Sequence, residues 1–338
     1  MKTTYYTAAN STFFVGLVIL LNSLALTGNV EELVVLDLGL TKEQKQLLGS
    51  LVTVVPLPHA LRPRLATLVK PVLHRVRETD VAVWIDSDVM VTGPLEPLVE
   101  RAAAGAICVF PDPERERWFP EWQDLFALRA PLQRRPYVNA GFFALSTQRW
   151  AGLLDRWGEL CELIPVERTF AHHAGAPRAD PFWASDQDAM NALLMSEVEP
   201  DAVELQGEEE EVHCHIPGDV RLVDEQALEL RNGAARVTLL HQSLMPKPWM
   251  GDAWRNLQKN PYVRLAPRVL FDDDVPLRLD SRAVPAWLRP GRAAAAARRA
   301  AITAGRTRRA AYSLFYRIPP RVRMPVSGTM RRFRRRSA

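Results

Sequence analysis

Two periods of apolar residues alternate over the first part of the chain. Thr3 to Ala9, rich in β-branched and aromatic residues, predicts a strand. Asn10-Ser11-Thr12 offers cap oxygens, and Phe13 to Ala25 predicts a helix. Strand signals return at Glu32 to Leu38 and at Leu51 to Val55, around a helix that Thr41 caps. A basic helix from Arg64 to Val76 leads into the apolar run Val81-Ala82-Val83-Trp84-Ile85, and further strands are expected at Ala106 to Phe110 and Tyr137 to Ser146. Strands and helices in this alternation predict an α/β domain with a doubly wound, mostly parallel sheet. Ligands of such sheets bind beyond the carboxyl ends of the strands. Phe13 to Leu21 is almost continuously apolar, but Asn22 and Ser23 end the run short of the ~20 residues a membrane span needs. It is expected to be a buried helix, not a signal or an anchor.

Composition changes this picture at one place. With 338 residues, 47% of them hydrophobic and 24% charged, the chain is globular in type. Its net charge of +4 hides a division. Residues 281–338 hold 16 arginines and no acid, which leaves 27 basic against 39 acidic side chains before them, a net of −12. The expected domains are therefore an acidic body, 1–275, and a basic helical tail, 276–338. Cys108, Cys161 and Cys214 form no CxxC pair and no even count, so neither a zinc ribbon nor a disulfide framework is suggested, and a reducing cytoplasm fits best.

The chemistry centres on Asp86-Ser87-Asp88, where the run 81–85 ends. Carboxylates two residues apart along a strand point to one face and can converge on a hard divalent cation. An isolated Asp-x-Asp is more often a solvated turn. Three later stretches shift the balance: Asn139-Ala140-Gly141 inside Tyr137 to Phe143, Ser185-Asp186-Gln187-Asp188 opening a helix, and His241-Gln242-Ser243-Leu244-Met245-Pro246-Lys247-Pro248-Trp249. Ser185 with Asp188 reads as a capping-box-like start. Glu208-Glu209-Glu210-Glu211 reads as a solvated charge run, and His213-Cys214-His215 lacks the partners a four-ligand metal site needs. Trp118 and Trp122, in the long loop 111–136, suit either an acceptor-binding lid or a local apolar cluster.

In order and spacing these stretches resemble the GT-A-fold glycosyltransferases, most closely the retaining family 8 type that uses UDP-sugars, over about residues 3–255. The resemblance implies a GT-A fold and a metal-dependent hexosyltransferase. Asp86, Asp88 and His241 would bind Mn²⁺ or Mg²⁺. Gln187 and Asp186 would act at the anomeric carbon. Thr7, Ala8, Asn10, Lys70, Asp86, Ser87, Asn139, Ala140, Gly141, Asp186, Asp188 and Lys247 would hold the nucleotide-diphospho-sugar, with Arg62 and Arg64 as further cations near it. Two positions depart from the family pattern: Asn10 stands where many relatives have aspartate, and Leu244 replaces a glycine. The acceptor would be a hydroxyl of a glycan, glycolipid or polymer. A nucleotidyltransferase would need a glycine-rich phosphate loop after the first strand, and none is present. A catalytically silent nucleotide-sugar-binding scaffold remains the alternative.

The tail predicts a helix from Gly291 to Tyr316. At 100° per residue, five of its six arginines from Arg292 to Arg309 fall within roughly a 120° arc. Tyr312, Phe315, Tyr316 and Phe333 add interfacial groups. An anionic membrane surface is the expected partner, with nucleic acid as the rival, which would place the enzyme peripherally on the inner face of the plasma membrane.

Overall fold

A computed structural model describes residues 1–317 apart from 59–60, 62, 174, 216–218, 256 and 258–259; for Arg255 and residues 309–317 it describes backbone alone. In chain order the elements are β1 (Thr3–Ala9), α1 (Phe14–Leu26), β2 (Glu32–Asp37), α2 (Lys42–Leu48), β3 (Thr53–Pro56), α3 (Leu73–Val76), β4 (Val81–Ile85), β5 (Val89–Val91), α4 (Glu96–Ala103), β6 (Ile107–Pro111) and α5 (Trp122–Leu125). There follow β7 (Val138–Ser146), α6 (Thr147–Glu162), α7 (Asp186–Leu194), β8 (Val203–Leu205), β9 (Glu211–His213), β10 (Val220–Asp224), β11 (Glu229–Asn232), β12 (Ala235–Arg236), β13 (Leu239–His241), α8 (Pro261–Phe271) and α9 (Arg292–Arg317).

The central sheet has seven strands in the order β3-β2-β1-β4-β7-β6-β8. β1 pairs in parallel with β2 and β4, β2 with β3, and β6 with β8. β7 runs antiparallel to both its neighbours, so of these seven strands it alone is reversed. The expected mostly parallel α/β sheet is thus present. The reversal matters for function, because β7 starts at the edge where the parallel strands end. Ile85 at the end of β4 faces Phe142, and the Asp86 N–H donates to the Gly141 carbonyl at 2.8 Å.

Two apolar layers cover the sheet, one on each face. Leu17, Val18, Ile19 and Leu20 of α1 are all fully buried, which explains a run apolar on every side of a helix. Asn22, which ends that run, is buried and fully bonded. Its amide donates to the carbonyls of Val269 and Leu277 at 2.7 and 2.8 Å and accepts from the Leu277 N–H at 3.0 Å. A buried amide with three partners ties α1 to α8 and to the chain after it. Gly16 lies so close to the Ser87 carbonyl and the Trp249 ring that a Cβ there would fall 2.4 and 2.6 Å from them. Only glycine lets α1 press against the turn after β4.

The compositional change near Pro276 does not coincide with the edge of this core. Leu277, Leu279, Val284, Leu288 and Ala301 pack into the same layer as α1. The Trp287 indole donates to the Pro248 carbonyl at 2.8 Å, and Arg298, one of the five arginines of the expected arc, donates to the Trp287 carbonyl at 3.0 Å. The basic helix α9 therefore begins docked on the body. Tyr312, Phe315 and Tyr316 are described by backbone alone, and Phe333 lies outside the described residues. Among the described residues no helix is long and apolar enough to cross a membrane.

Candidate functional site

β4 ends at Ile85, and the chain turns at once, with the Val89 N–H donating to the Asp86 carbonyl at 3.0 Å. Asp86 and Asp88 therefore sit on a tight turn, not on a strand. Convergence comes from a second, three-stranded sheet in which β13 lies between β5 and β9. β13 pairs antiparallel with β5, placing His241 opposite Val89, and parallel with β9, placing it beside His213. The Gln242 N–H donates to the Asp88 carbonyl at 3.0 Å. Ligand atoms of Asp86, Asp88 and His241 consequently lie within 4.8 Å of one another. Two carboxylates and an imidazole on so small a locus are a donor set that fits a divalent cation.

Charge is dense here. The Asp88 carboxylate lies 2.5 Å from the Lys247 ammonium and 3.5 Å from His241 Nε2. Burial would raise the pKa of Asp88, but Lys247 and His241 outweigh it and hold the carboxyl well below its usual range. Burial would likewise lower that of His241, yet Asp88 and Glu211 hold its imidazolium up to about 10. Lys247 also donates to the Gln242 carbonyl at 2.6 Å. Trp249 pins the same loop, its indole donating to the Thr12 carbonyl at 2.9 Å. Leu244 is exposed and lies outside the left-handed region, so this backbone path does not require the family's glycine.

On the other side of Asp86, the buried Lys70 ammonium lies 3.3 Å from that carboxylate and 2.9 Å from Asp186 Oδ2. The Asp186 contact is an ion pair without hydrogen-bond geometry. Burial prevails there and raises the Asp186 carboxyl to about 6, although Lys70 opposes it. Asn139 and Gln187 both donate to Asp112 Oδ2 at 3.0 Å, and Gln187 Oε1 accepts from the Ala140 N–H at 3.0 Å. The Asn139 side-chain oxygen Oδ1 accepts from the Gly141 N–H at 2.7 Å. A Cβ on Gly141 would lie 2.4 Å from His241 Cε1, so this glycine makes room for the imidazole ring.

Solved structures with the same architecture include glycosyltransferases. The galactosyltransferase LgtC, solved in complex with donor and acceptor sugar analogs, matches at a TM-score of 0.50 and 17% identity, over 74% of this chain and 90% of its own. The bifunctional glycosyltransferase WbbM matches at a TM-score of 0.55 and 15% identity, over 81% of this chain and 50% of its own. The fold is GT-A. No protein-family model and no curated protein matches the sequence.

Within this GT-A frame several expected residues have other occupations. Asp188 is fully buried, and its oxygens are taken by a bidentate Arg117 at 2.7 Å, the Tyr137 hydroxyl at 2.7 Å and the Ala184 N–H at 2.7 Å. That leaves it bracing the core instead of facing a donor. Ser185 makes no capping bond. It holds a left-handed φ of 58° with its hydroxyl 2.9 Å from that of Thr67, an elbow that turns Asp186 toward Lys70. Thr7 is fully buried on β1, while its neighbour Ala8 is half-buried at the sheet's end. Asn10 caps the turn at Ser11, accepting from the Thr12 and Phe13 N–H groups. Ser87 is buried under Gly16. Arg64 donates to the carbonyls of Cys161 and Glu162, away from Asp86, and Arg62 lies outside the described residues. Trp122 is fully buried against Tyr137 and Phe119, so it packs a core and forms no lid. Trp118 is half-buried on a cavity of about 540 Å³ that Pro113 to Phe119 line.

Two residues of the site carried no motif. Asp112, just past β6, is the acceptor that fixes the Asn139 and Gln187 amides; an acid at a strand's carboxyl end is the signal that would have found it. Glu211 is not a solvated member of its charge run. It is buried and bonded to His241 Nδ1 at 2.9 Å. Cys108, Cys161 and Cys214 are free and buried.

Proposed function

We propose that this protein is a metal-dependent glycosyltransferase that moves a hexose from a nucleotide-diphospho-sugar, a UDP-sugar by preference, to a hydroxyl of a glycan, glycolipid or polymer. The observation that carries the reading is the convergence of Asp86, Asp88 and His241 at the carboxyl edge of a GT-A sheet. Those three would hold Mn²⁺ or Mg²⁺, the imidazole favouring Mn²⁺. When bound, such a cation supplies Lewis-acid stabilisation of the charge that develops on the departing diphosphate. Lys247 adds a positive charge to the same diphosphate. Asn139 and Gln187, fixed by Asp112, meet the sugar with amides that need no reorganisation. Gln187 faces the anomeric carbon and Asp186, fixed by Lys70, the sugar hydroxyls. The acceptor attacks the face that the diphosphate leaves, so configuration is retained, and a donor phosphate oxygen takes the acceptor proton. LgtC was solved with donor and acceptor sugar analogs, which supports reading the cleft as a meeting point of the two.

A panel of nucleotide sugars with Mn²⁺ tests this, scored by release of nucleoside diphosphate with and without acceptor. Release from a UDP-hexose should stop with chelator and return with Mn²⁺. Release that ignores chelator overturns the metal assignment, and tight donor binding without any release favours a silent scaffold.

The tail extends the proposal to place. The exposed Arg292, Arg299 and Arg306 of α9 and the arginines beyond it suit an anionic membrane surface on the cytoplasmic side, in envelope glycan or glycolipid synthesis. A chain ending at Arg308 keeps the docked turns of α9 with Arg292, Arg299 and Arg306 but lacks the arginines beyond, and should lose most of its salt-sensitive binding to anionic vesicles while hydrolysing donor at the full-length rate. Preference of the full chain for nucleic acid over vesicles would overturn this.

A further inference from the structure

We infer that Glu211 is a positioning residue for His241, holding its Nδ1–H so that Nε2 is left to face Asp88; this rests on reading His241 as a cation ligand. Glu208 and Glu209 of the same run are exposed, but the Glu211 side chain is only 1% exposed. A carboxylate is costly to bury without a partner, so its place behind the imidazole demands a reason. Parallel pairing of β9 with β13 sets His213 beside His241 and Glu211 on the diagonal, with Glu211 Oε1 2.9 Å from His241 Nδ1. A carboxylate only accepts, so Nδ1 carries a hydrogen whether or not the ring is charged, and Nε2, 3.5 Å from Asp88, is the nitrogen left to give up its proton to a cation. Two further contacts keep the ring from turning. The His213 ring lies 5.2 Å away at 36°, and the missing Cβ of Gly141 leaves no spare room at Cε1. Histidines that bind metals commonly have the other nitrogen held in this way, and removing the holder weakens metal binding by about 10- to 100-fold.

The rival occupant is a cation held by Glu211 itself. Ligand atoms of Glu211, His213 and His241 also lie within 4.8 Å, and Glu211 Oε2 and His213 Nε2 are buried without hydrogen-bond partners. Mn²⁺ titration of the full chain in the presence of UDP, with free Mn²⁺ read by electron paramagnetic resonance, separates the two. The expected result is one Mn²⁺ per chain, lost in Asp88→Asn. Glu211→Met should weaken uptake about 10- to 100-fold at unchanged stoichiometry. Glu211→Gln, whose amide oxygen still accepts from Nδ1–H, should recover most of it. In the Mg²⁺-loaded chain, ¹⁵N spectra of His241 should show a protonated Nδ1 and an unprotonated Nε2. Two Mn²⁺ per chain falling to one in both Glu211 variants, or wild-type uptake in Glu211→Met, overturns the inference alone. Should Glu211→Met fail to fold, a protonated Nε2 in the wild-type spectrum overturns it. No uptake by the wild-type chain sinks the metal reading first, and this inference with it.

Discussion

Asp86-Ser87-Asp88 and Asp186-Gln187-Asp188 share a spacing, and each contains a buried aspartate held by a cation, yet they are put to different uses. The first lies on a turn, where residues two apart reach the same locus, and both carboxylates come within 4.8 Å of the His241 ligand atom. The second opens α7, and on a helix residues two apart point about 200° from each other. Asp186 therefore turns to Lys70 and the cleft, while Asp188 turns inward to Arg117 and Tyr137. Lys70 touches Asp86 of one motif and Asp186 of the other, which makes it the link between them. Backbone conformation, not spacing, decides whether such a pair converges.

The largest expected effect is on chemistry at the first motif. Asp88→Asn should lower metal-dependent donor hydrolysis by about 100- to 1,000-fold, the loss typical of removing one charge-stabilising group, with chelator-free assays over a range of Mn²⁺ as the measurement. Asp188→Ala should act on stability instead. It strands the buried Arg117, whose side chain is 5% exposed, and breaking a buried pair costs about 3–5 kcal/mol. Urea unfolding should show that loss while Mn²⁺ affinity stays within about twofold, since the second aspartate holds no ligand position. If Asp188→Ala instead abolishes metal uptake at full stability, the two motifs are not distinct in the way described. Lys247→Ala comes next. It removes a charge-assisted contact worth about 1.5–3 kcal/mol, so binding of UDP should weaken about 10- to 100-fold while binding of uridine barely moves. Equal losses for both would mean that Lys247 does not meet the diphosphate.

The contrast also shows what could be read from residue order. Asp86, Asp88, His241 and Lys247 stood out because each follows an apolar strand or a fixed spacing, which local pattern exposes. Asp112 and Glu211 did not, because their roles depend on pairings far apart in sequence. Asp112 meets Gln187 across 75 residues and Glu211 meets His241 across 30. Four glutamates in a row read as solvated until β9 pairing draws the last of them inside. Asp188 misled for the same reason: its partner Arg117 lies in a loop without a period. The tail's charge was plain, but its first turns dock through small and apolar residues such as Ala294 and Leu288, which composition alone assigns to an appendage.

The smallest effect separates Asp186 from Asp88 by charge. Burial lifts the Asp186 carboxyl from 3.8 to about 6, whereas Asp88 is held far down by Lys247 and His241. A group whose pKa is higher in the folded chain favours folding fully below its unfolded pKa, and that contribution is lost as pH rises through the folded value. Asp186 should thus lower stability progressively between about pH 4 and pH 6, by an amount on the order of 1–3 kcal/mol. Asp188→Asn would leave this slope in place, but Asp186→Asn removes it, because an amide does not titrate. The measurement is urea unfolding of wild type and Asp186→Asn at pH 4, 5, 6 and 7. Titrating groups that do not touch Asp186 or Lys70, Glu211 and His241 among them, cancel in the difference between the two curves. That difference should move in favour of Asp186→Asn as pH rises to 6 and then level off. Parallel curves would mean that Lys70 pairs with Asp186 as firmly as Lys247 pairs with Asp88, and the two motifs would then differ in direction only.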